Sequence, residues 1–174
     1  MKAAIAEAAV RLLTERNVRK LTVKDIVEEC RITRQTFYYH FEDIPQLFRW
    51  MLEQELQLLA GRAESGEDPK AALRSFFLMA INSMPYVKKG LESNYGGELK
   101  ALLTQYFYRF FELVIEKRNL YKSRTRAEVG LILRYHCQAI LGLFASWTDE
   151  DTKNLDSIVD TVYELLTEGI SPLE

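Results

Sequence analysis

Cysteine is nearly absent from this chain of 174 residues: Cys30 and Cys137 are the only two, and they lie far apart. A disulfide framework is therefore excluded, and a reducing cytosol fits. Histidine is equally scarce. His40 and His136 are the only two, and neither stands at metal-ligand spacing from another histidine or from a cysteine, so no metal is expected. No Gly-rich phosphate loop or nucleophile motif appears, and no cofactor is implied. Cys137 follows His136 directly, but neighbours on a helix point in different directions, so they make a poor Cys–His pair. An enzyme is not expected. The longest wholly apolar run, Ala139 to Ala145, is far too short to cross a bilayer. Met1 leads at once into an amphipathic helix with no signal-peptide pattern, which implies a cytoplasmic protein without membrane attachment. Net charge is only -2, so nothing in the total announces a nucleic-acid binder.

What the chain does have is apolar residues, 48% of the total, enough for a sizeable core. Its charge is also unevenly placed. Residues 1–50 hold nine Lys/Arg against seven Asp/Glu, and the remainder holds fourteen against eighteen. The polarity suits a DNA-binding N-terminus, provided the basic residues are placed locally.

The stretch from Thr33 to Leu47 organises the rest. Thr33 is a good N-cap for a short helix, and Phe37 and Phe41, four apart, share its inner face. Arg34, Gln35, Tyr38, Tyr39 and His40 are left for the outer face. Arg can grip guanine and Gln adenine through two hydrogen bonds each, while Tyr and His reach phosphates. The alternative is an ordinary amphipathic helix with a wet polar face. Upstream, Thr22 to Glu29 reads as another short helix, with Asp25 placed for a capping box. Cys30-Arg-Ile32 makes a three-residue turn between the two, the helix-turn-helix pattern.

On these residues the chain resembles the TetR family of bacterial transcriptional regulators. The match comprises Ile5, Ala9 and Leu13 on a first helix, Thr22 and Ile26 on a second, then Thr33-Arg-Gln-Thr-Phe-Tyr-Tyr-His-Phe41, and Leu47. It covers about the first fifty residues. Two positions depart from the family pattern: Arg31 stands where the family usually has Gly, and Ile44 where it usually has a phosphate-touching Lys. If the turn needs a positive φ, Arg31 carries a steric cost that Gly would not.

The remaining chain reads as helices throughout. Residues 3–16 form the first, ended by Asn17, and Lys2, Arg11, Arg19, Lys20 and Lys24 could add phosphate contacts. Asp43 caps a helix that has Pro45 in its first turn and runs to about Gly61. Gly61 to Asp68 reads as a loop, and Asp68-Pro69 restarts a helix that Pro85 should break, leaving a short helix at 86–93. Glu98 to Arg118 is apolar round more than half its circumference and therefore central. Ser123 should open the next helix, and Thr148 to Asp151 should cap a single last one.

The expected fold is all-α: a three-helix helix-turn-helix domain at 1–43, then a helical-bundle effector-binding and dimerisation domain at 44–174. Base reading falls to Arg34, Gln35 and Thr36, with a contact from Tyr39. Phosphates fall to Thr22, Lys24, Thr33, Tyr38 and His40. The resemblance implies a homodimer on a palindromic operator, joined through roughly residues 124–147 and 152–168. Leu143, Phe144 and Trp147 on one helix and Leu155, Ile158, Val162 and Leu166 on the other would face the partner. It also implies a small effector held by aromatic walls, for which Phe77, Phe107 and Phe110 are candidates, with Tyr106, Tyr135, His136 and Gln138 as polar handles. For any one of these residues the alternative is plain core. The expected protein is a repressor released by its effector. A competing reading comes from a looser likeness to regulators of dihydroxyacetone-kinase operons, in which a coactivator protein replaces the small ligand.

Overall fold

The computed structural model describes residues 1–64, 68–118 and 121–167, with backbone alone at 60, 62–64, 117 and 118. Among the described residues there are nine helices and no strand: α1 Lys2–Thr14, α2 Val23–Cys30, α3 Arg34–His40, α4 Ile44–Glu64, α5 Pro69–Glu92, α6 Gly96–Arg118, α7 Arg126–Ala145, α8 Asp149–Lys153 and α9 Leu155–Thr167. None of these is long and apolar enough to cross a membrane. The chain forms two compact units, Met1–Glu55 with Ser83–Tyr106, and Leu56–Asn82 with Phe107–Glu174.

The first unit is built on α1. Its face of Ile5, Ala8, Ala9, Leu12 and Leu13 is almost fully buried, as the 3.6-residue period requires. Ile26, Phe37, Phe41, Ile44 and Leu47 close the same core, and so do Leu99 and Leu102 from α6. Asn17 takes the left-handed conformation (φ 50°), as a polar residue after a helix end can. The corner between α5 and α6 is tight. A Cβ on Gly90 would lie 2.6 Å from Leu99 Cδ2, and one on Gly96 would strike the Leu91 carbonyl oxygen.

The second unit has an aromatic centre. Phe76 stacks on Phe110 with ring centroids 4.5 Å apart and meets Phe107 edge-on at 5.2 Å. Phe144 packs on Phe76, Phe77, Phe107 and Trp147. Leu155, Val159 and Val162 bury the inner face of α9. Ion pairs at 2.6 Å, Lys70–Asp160 and Arg74–Asp156, join α9 to α5, though such exposed pairs add little stability.

Several boundaries differ from expectation. Pro85 does not break α5, which continues to Glu92, so there is no separate helix at 86–93. Pro85 removes one bond to the Ile81 carbonyl but faces solvent, where a carbonyl can tilt towards water. α7 starts at Arg126 rather than at Ser123, because Thr125 and Glu128 form a complete capping box. The segment after Thr148 is two helices, not one. Asn154 interrupts it, its side chain bonding the Glu150 carbonyl, a local competitor with helical pairing. α4 extends to Glu64, past the expected end near Gly61, and the expected loop at 61–68 lies partly outside the described residues, at 65–67.

Candidate nucleic-acid interface

The two short helices are set by their caps. At the start of α2 the Asp25 N–H donates to Thr22 Oγ1 (3.2 Å), while the Thr22 N–H donates to Asp25 Oδ2 (3.1 Å). The Thr22 hydroxyl also donates to Asp25 Oδ2, at 2.6 Å. Its one proton is therefore engaged in the cap, and giving it to a phosphate means releasing Asp25.

α2 ends on Arg31 in the left-handed region, φ 57° and ψ 43°. The Ile32 N–H reaches back to the Val27 carbonyl and the Arg31 N–H to that of Glu28, the paired bonds of a Schellman end. The chain then enters α3 through Thr33, whose Oγ1 accepts from the Thr36 N–H at 3.1 Å. The Thr33 and Thr36 hydroxyls lie 2.9 Å apart, so one of them supplies the proton between them. If Thr36 supplies it, Thr33 keeps its own for a phosphate.

The inner face of α3 is fixed by Phe37 and Phe41, 0% and 2% exposed. Arg34 and Gln35 are exposed beside the Thr33 cap. Tyr38 is 55% and Tyr39 84% exposed, the latter far beyond what a core aromatic shows. His40 is half-buried, edge-on to Tyr39 at 5.0 Å. The expected base and phosphate readers of α3 therefore sit together on one short helix, with Thr36 half-buried at its first turn.

Ion pairing sorts the cations around them. Glu29, with its side chain 14% exposed, holds Arg11 at 3.3 Å and Arg16 at 2.8 Å, which removes Arg11 as a ready phosphate contact. Lys24 lies 3.8 Å from Glu28, both exposed, a pair that parts easily. Ile44, 1% exposed, is part of the core and brings no charge to the start of α4. Two further features leave no signal in the sequence. The Lys2 ammonium lies over the rings of Phe41 (5.4 Å) and Trp50 (6.0 Å). Asn94 bonds the connector between α1 and α2, across 73 residues of sequence.

The expected effector residues are dispersed. Phe77, Phe107 and Phe110 are buried in the aromatic centre of the second unit. Tyr135 is 60% exposed and Gln138 is exposed, so neither is an interior handle, and His136 is half-buried. Burial holds the His136 imidazole below its ordinary range. Tyr106 belongs to the first unit, where burial, aided by the charge of Glu55, pushes its phenol well up. Tyr86, in the same unit, is raised by burial and donates to Ser83 Oγ at 2.7 Å. Both phenols are neutral donors at ordinary pH.

The expected dimer residues are also divided. Phe144, Trp147, Leu155 and Val162 are buried within the protomer, 6–9% exposed, so their apolar area is already covered by the chain's own rings. Ile158 and Leu166 are half-buried, and Leu143 is 40% exposed. The outward stripe of α7 instead carries Leu131 (59%), Tyr135, Ala139, Gly142 and Leu143.

Residues 5–51 match the family model described as bacterial regulatory proteins, tetR family. Over 88 residues the chain is 30% identical to the HTH-type transcriptional regulator TtgR of Pseudomonas putida, a match covering 48% of this chain and 42% of TtgR. It is 32% identical over 88 residues to the probable HTH-type transcriptional regulator ArpR of Pseudomonas putida, with the same coverage. The match thus spans less than half the length of these curated relatives. The solved structure of the dihydroxyacetone kinase operon activator DhaS has a TM-score of 0.66 at 19% identity, covering 97% of this chain and 95% of that one. Thermus thermophilus FadR, described as a TetR-family repressor in complex with lauroyl-CoA, has a TM-score of 0.57 at 18% identity, covering 100% and 97%. Both likenesses concern the fold: a helix-turn-helix followed by a helical domain.

Proposed function

We propose, from the chain's membership of the TetR family, that it is a dimeric, sequence-specific DNA-binding transcriptional regulator of the cytoplasm, a repressor released by a small effector. The observation that carries this reading is α3: two phenylalanines anchor it, and Arg34, Gln35, Tyr38 and Tyr39 are left outside. Tyr39, 84% exposed, leaves its ring and hydroxyl available to a groove or a phosphate. Arg34, Gln35 and Thr36 read bases, with Tyr39 beside them. Thr33, Tyr38, His40 and Lys24 hold phosphates, and Thr22 fixes the first turn of α2. The DNA contacts thus fall within residues 1–43, and effector binding and dimerisation fall within residues 44–174.

A two-fold pair presents two such helices to successive major grooves, about 34–36 Å apart. The outward stripe of α7 suits that pairing. Ala139 and Gly142 allow close helix approach, and a Cβ on Gly142 would meet nothing within 4 Å in the protomer. Leu131, Leu143 and, on α9, Leu165 (42% exposed) supply apolar area. The effector belongs to the helical domain and acts by preferring one of two conformations.

Selection of sites from a random duplex pool, at stated salt, tests the reading, because non-specific binding varies steeply with salt. A recovered palindrome is the expected result. A pool without enrichment at any salt would overturn sequence-specific reading.

A further inference from the structure

We infer that Asn94 is a positioning residue for the DNA-contact face, so that the reading unit is complete only when the corner between α5 and α6 is docked on it. The inference rests on the DNA-reading role proposed above, and every contact it uses lies within the first unit. Asn94 Oδ1 accepts from the Leu21 N–H at 2.9 Å, and Asn94 Nδ2 donates to the Leu21 carbonyl at 3.3 Å. The Asn94 N–H donates to the Arg19 carbonyl at 3.2 Å. One asparagine thus engages both backbone polar groups of Leu21, as a neighbouring β-strand residue would.

The position of Leu21 makes this consequential. Leu21 is fully buried, and the residue after it is Thr22, the N-cap of α2. Fixing both backbone groups of Leu21 fixes where the capping box, and hence α2 and Lys24, begins. Upstream in the connector, the Val18 N–H bonds the Leu12 carbonyl at 3.1 Å, which ties the chain to α1 but leaves Leu21 to Asn94. Arg19 and Lys20 are exposed, and Asn17 has already turned the chain with a left-handed φ. The corner that carries Asn94 is itself rigid. The Ser93 hydroxyl donates to the Gly90 carbonyl at 2.6 Å, Tyr95 packs edge-on to Phe48 at 6.3 Å, and Gly90 and Gly96 both occupy sites where a Cβ would collide. Leu99, one turn into α6, buries itself in the core of α1. A rigid corner holding a connector by three hydrogen bonds is a clasp, and the part it holds is the start of the helix that leads into the turn.

The test uses the full chain with Asn94→Leu, which keeps the branching and heavy-atom count and loses both side-chain bonds, and with Asn94→Asp, which keeps only an acceptor. Amide hydrogen exchange at Leu21 and at Asp25 is measured first, together with circular dichroism. Exchange at Leu21 should rise in Asn94→Leu, and it should rise at Asp25 too, since the Asp25 N–H belongs to the capping box that follows. Operator affinity should fall about tenfold, the order expected for two lost hydrogen bonds. The dependence of log affinity on log salt should keep its slope, because no phosphate contact is removed. Asn94→Asp should fall between the two. Faster exchange at Leu21 with Asp25 and operator affinity unchanged would overturn the positioning role and leave a merely structural bond. Unchanged exchange at Leu21 would overturn the clasp itself. A wild-type protein that selects no site would sink the DNA-reading role, while the response at Asp25 would still decide whether Asn94 sets the start of α2.

Discussion

Arg31 is a residue whose backbone is at odds with its side chain. It holds φ 57° at the end of α2, where the Schellman pair closes the helix, and its side chain is exposed. For a residue with a Cβ the left-handed region costs about 1–2 kcal/mol, which glycine avoids. Against this, glycine gains freedom in the unfolded chain, worth about 0.4–1 kcal/mol. Arg31→Gly should therefore stabilise the fold by about 0.5–1 kcal/mol, which for a chain of this size raises Tm by about 1–4 °C. Arg31→Ala is the deciding control. It removes the same charge and the same stem but keeps the Cβ, so its stability should stay within about 0.5 kcal/mol of wild type. Urea titration followed by circular dichroism measures both. If alanine stabilises as much as glycine, the gain comes from removing the guanidinium, and backbone strain at this turn is refuted.

Gly142→Arg should give a protomer with unchanged circular dichroism but monomer mass by light scattering, since its side chain enters open space on the outward stripe of α7. Gln35→Ala should cost about 1–3 kcal/mol at a single base position, whereas Tyr38→Phe should weaken binding to operator and random duplex alike; competition binding separates the two. His136 is held neutral by burial, so its folded pKa lies below its unfolded one. The stability it confers is present above its ordinary pKa of 6.5 and is lost as pH falls through the window below that value; His136→Gln should flatten this part of the denaturation profile. Phe76→Ala, which empties the hub of the aromatic centre, should cost about 3–5 kcal/mol in urea unfolding.

What could be read from the sequence was local. Thr22, Asp25, Thr33 and Asp43 each cap the helix that their spacing announces, because a cap involves residues only three apart. The positive φ at Arg31 was signalled by the resemblance, since the family usually has Gly at that position. The inward pair Phe37 and Phe41 and the outward Tyr39 followed from helical period alone. Where two segments distant in the chain decide the outcome, the sequence was silent or misleading. Phe144 and Trp147 looked like spare surface for a partner, yet Phe76 and Phe77 cover them, and periodicity cannot say which element supplies the cover. Pro85 looked like a break, yet its exposed side of α5 tolerates it. Asn94 carried no signal at all, being an ordinary polar residue near two glycines until its partner at Leu21 is known.

The participation of Leu99 and Leu102 in the core of α1 also sets an order of events during synthesis. A ribosome delivers α1, α2 and α3 before α6, so the core of the first unit lacks Leu99 and Leu102 until α6 has emerged. Closing a contact such as Leu21–Asn94 across 73 residues costs chain entropy of about 4 kcal/mol, and it is recovered only when the corner docks. The helices proposed to read DNA are therefore made before the helix that completes their core. For that interval the nascent chain exposes the apolar surface that Leu99 and Leu102 later cover, the kind of intermediate that chaperones recognise.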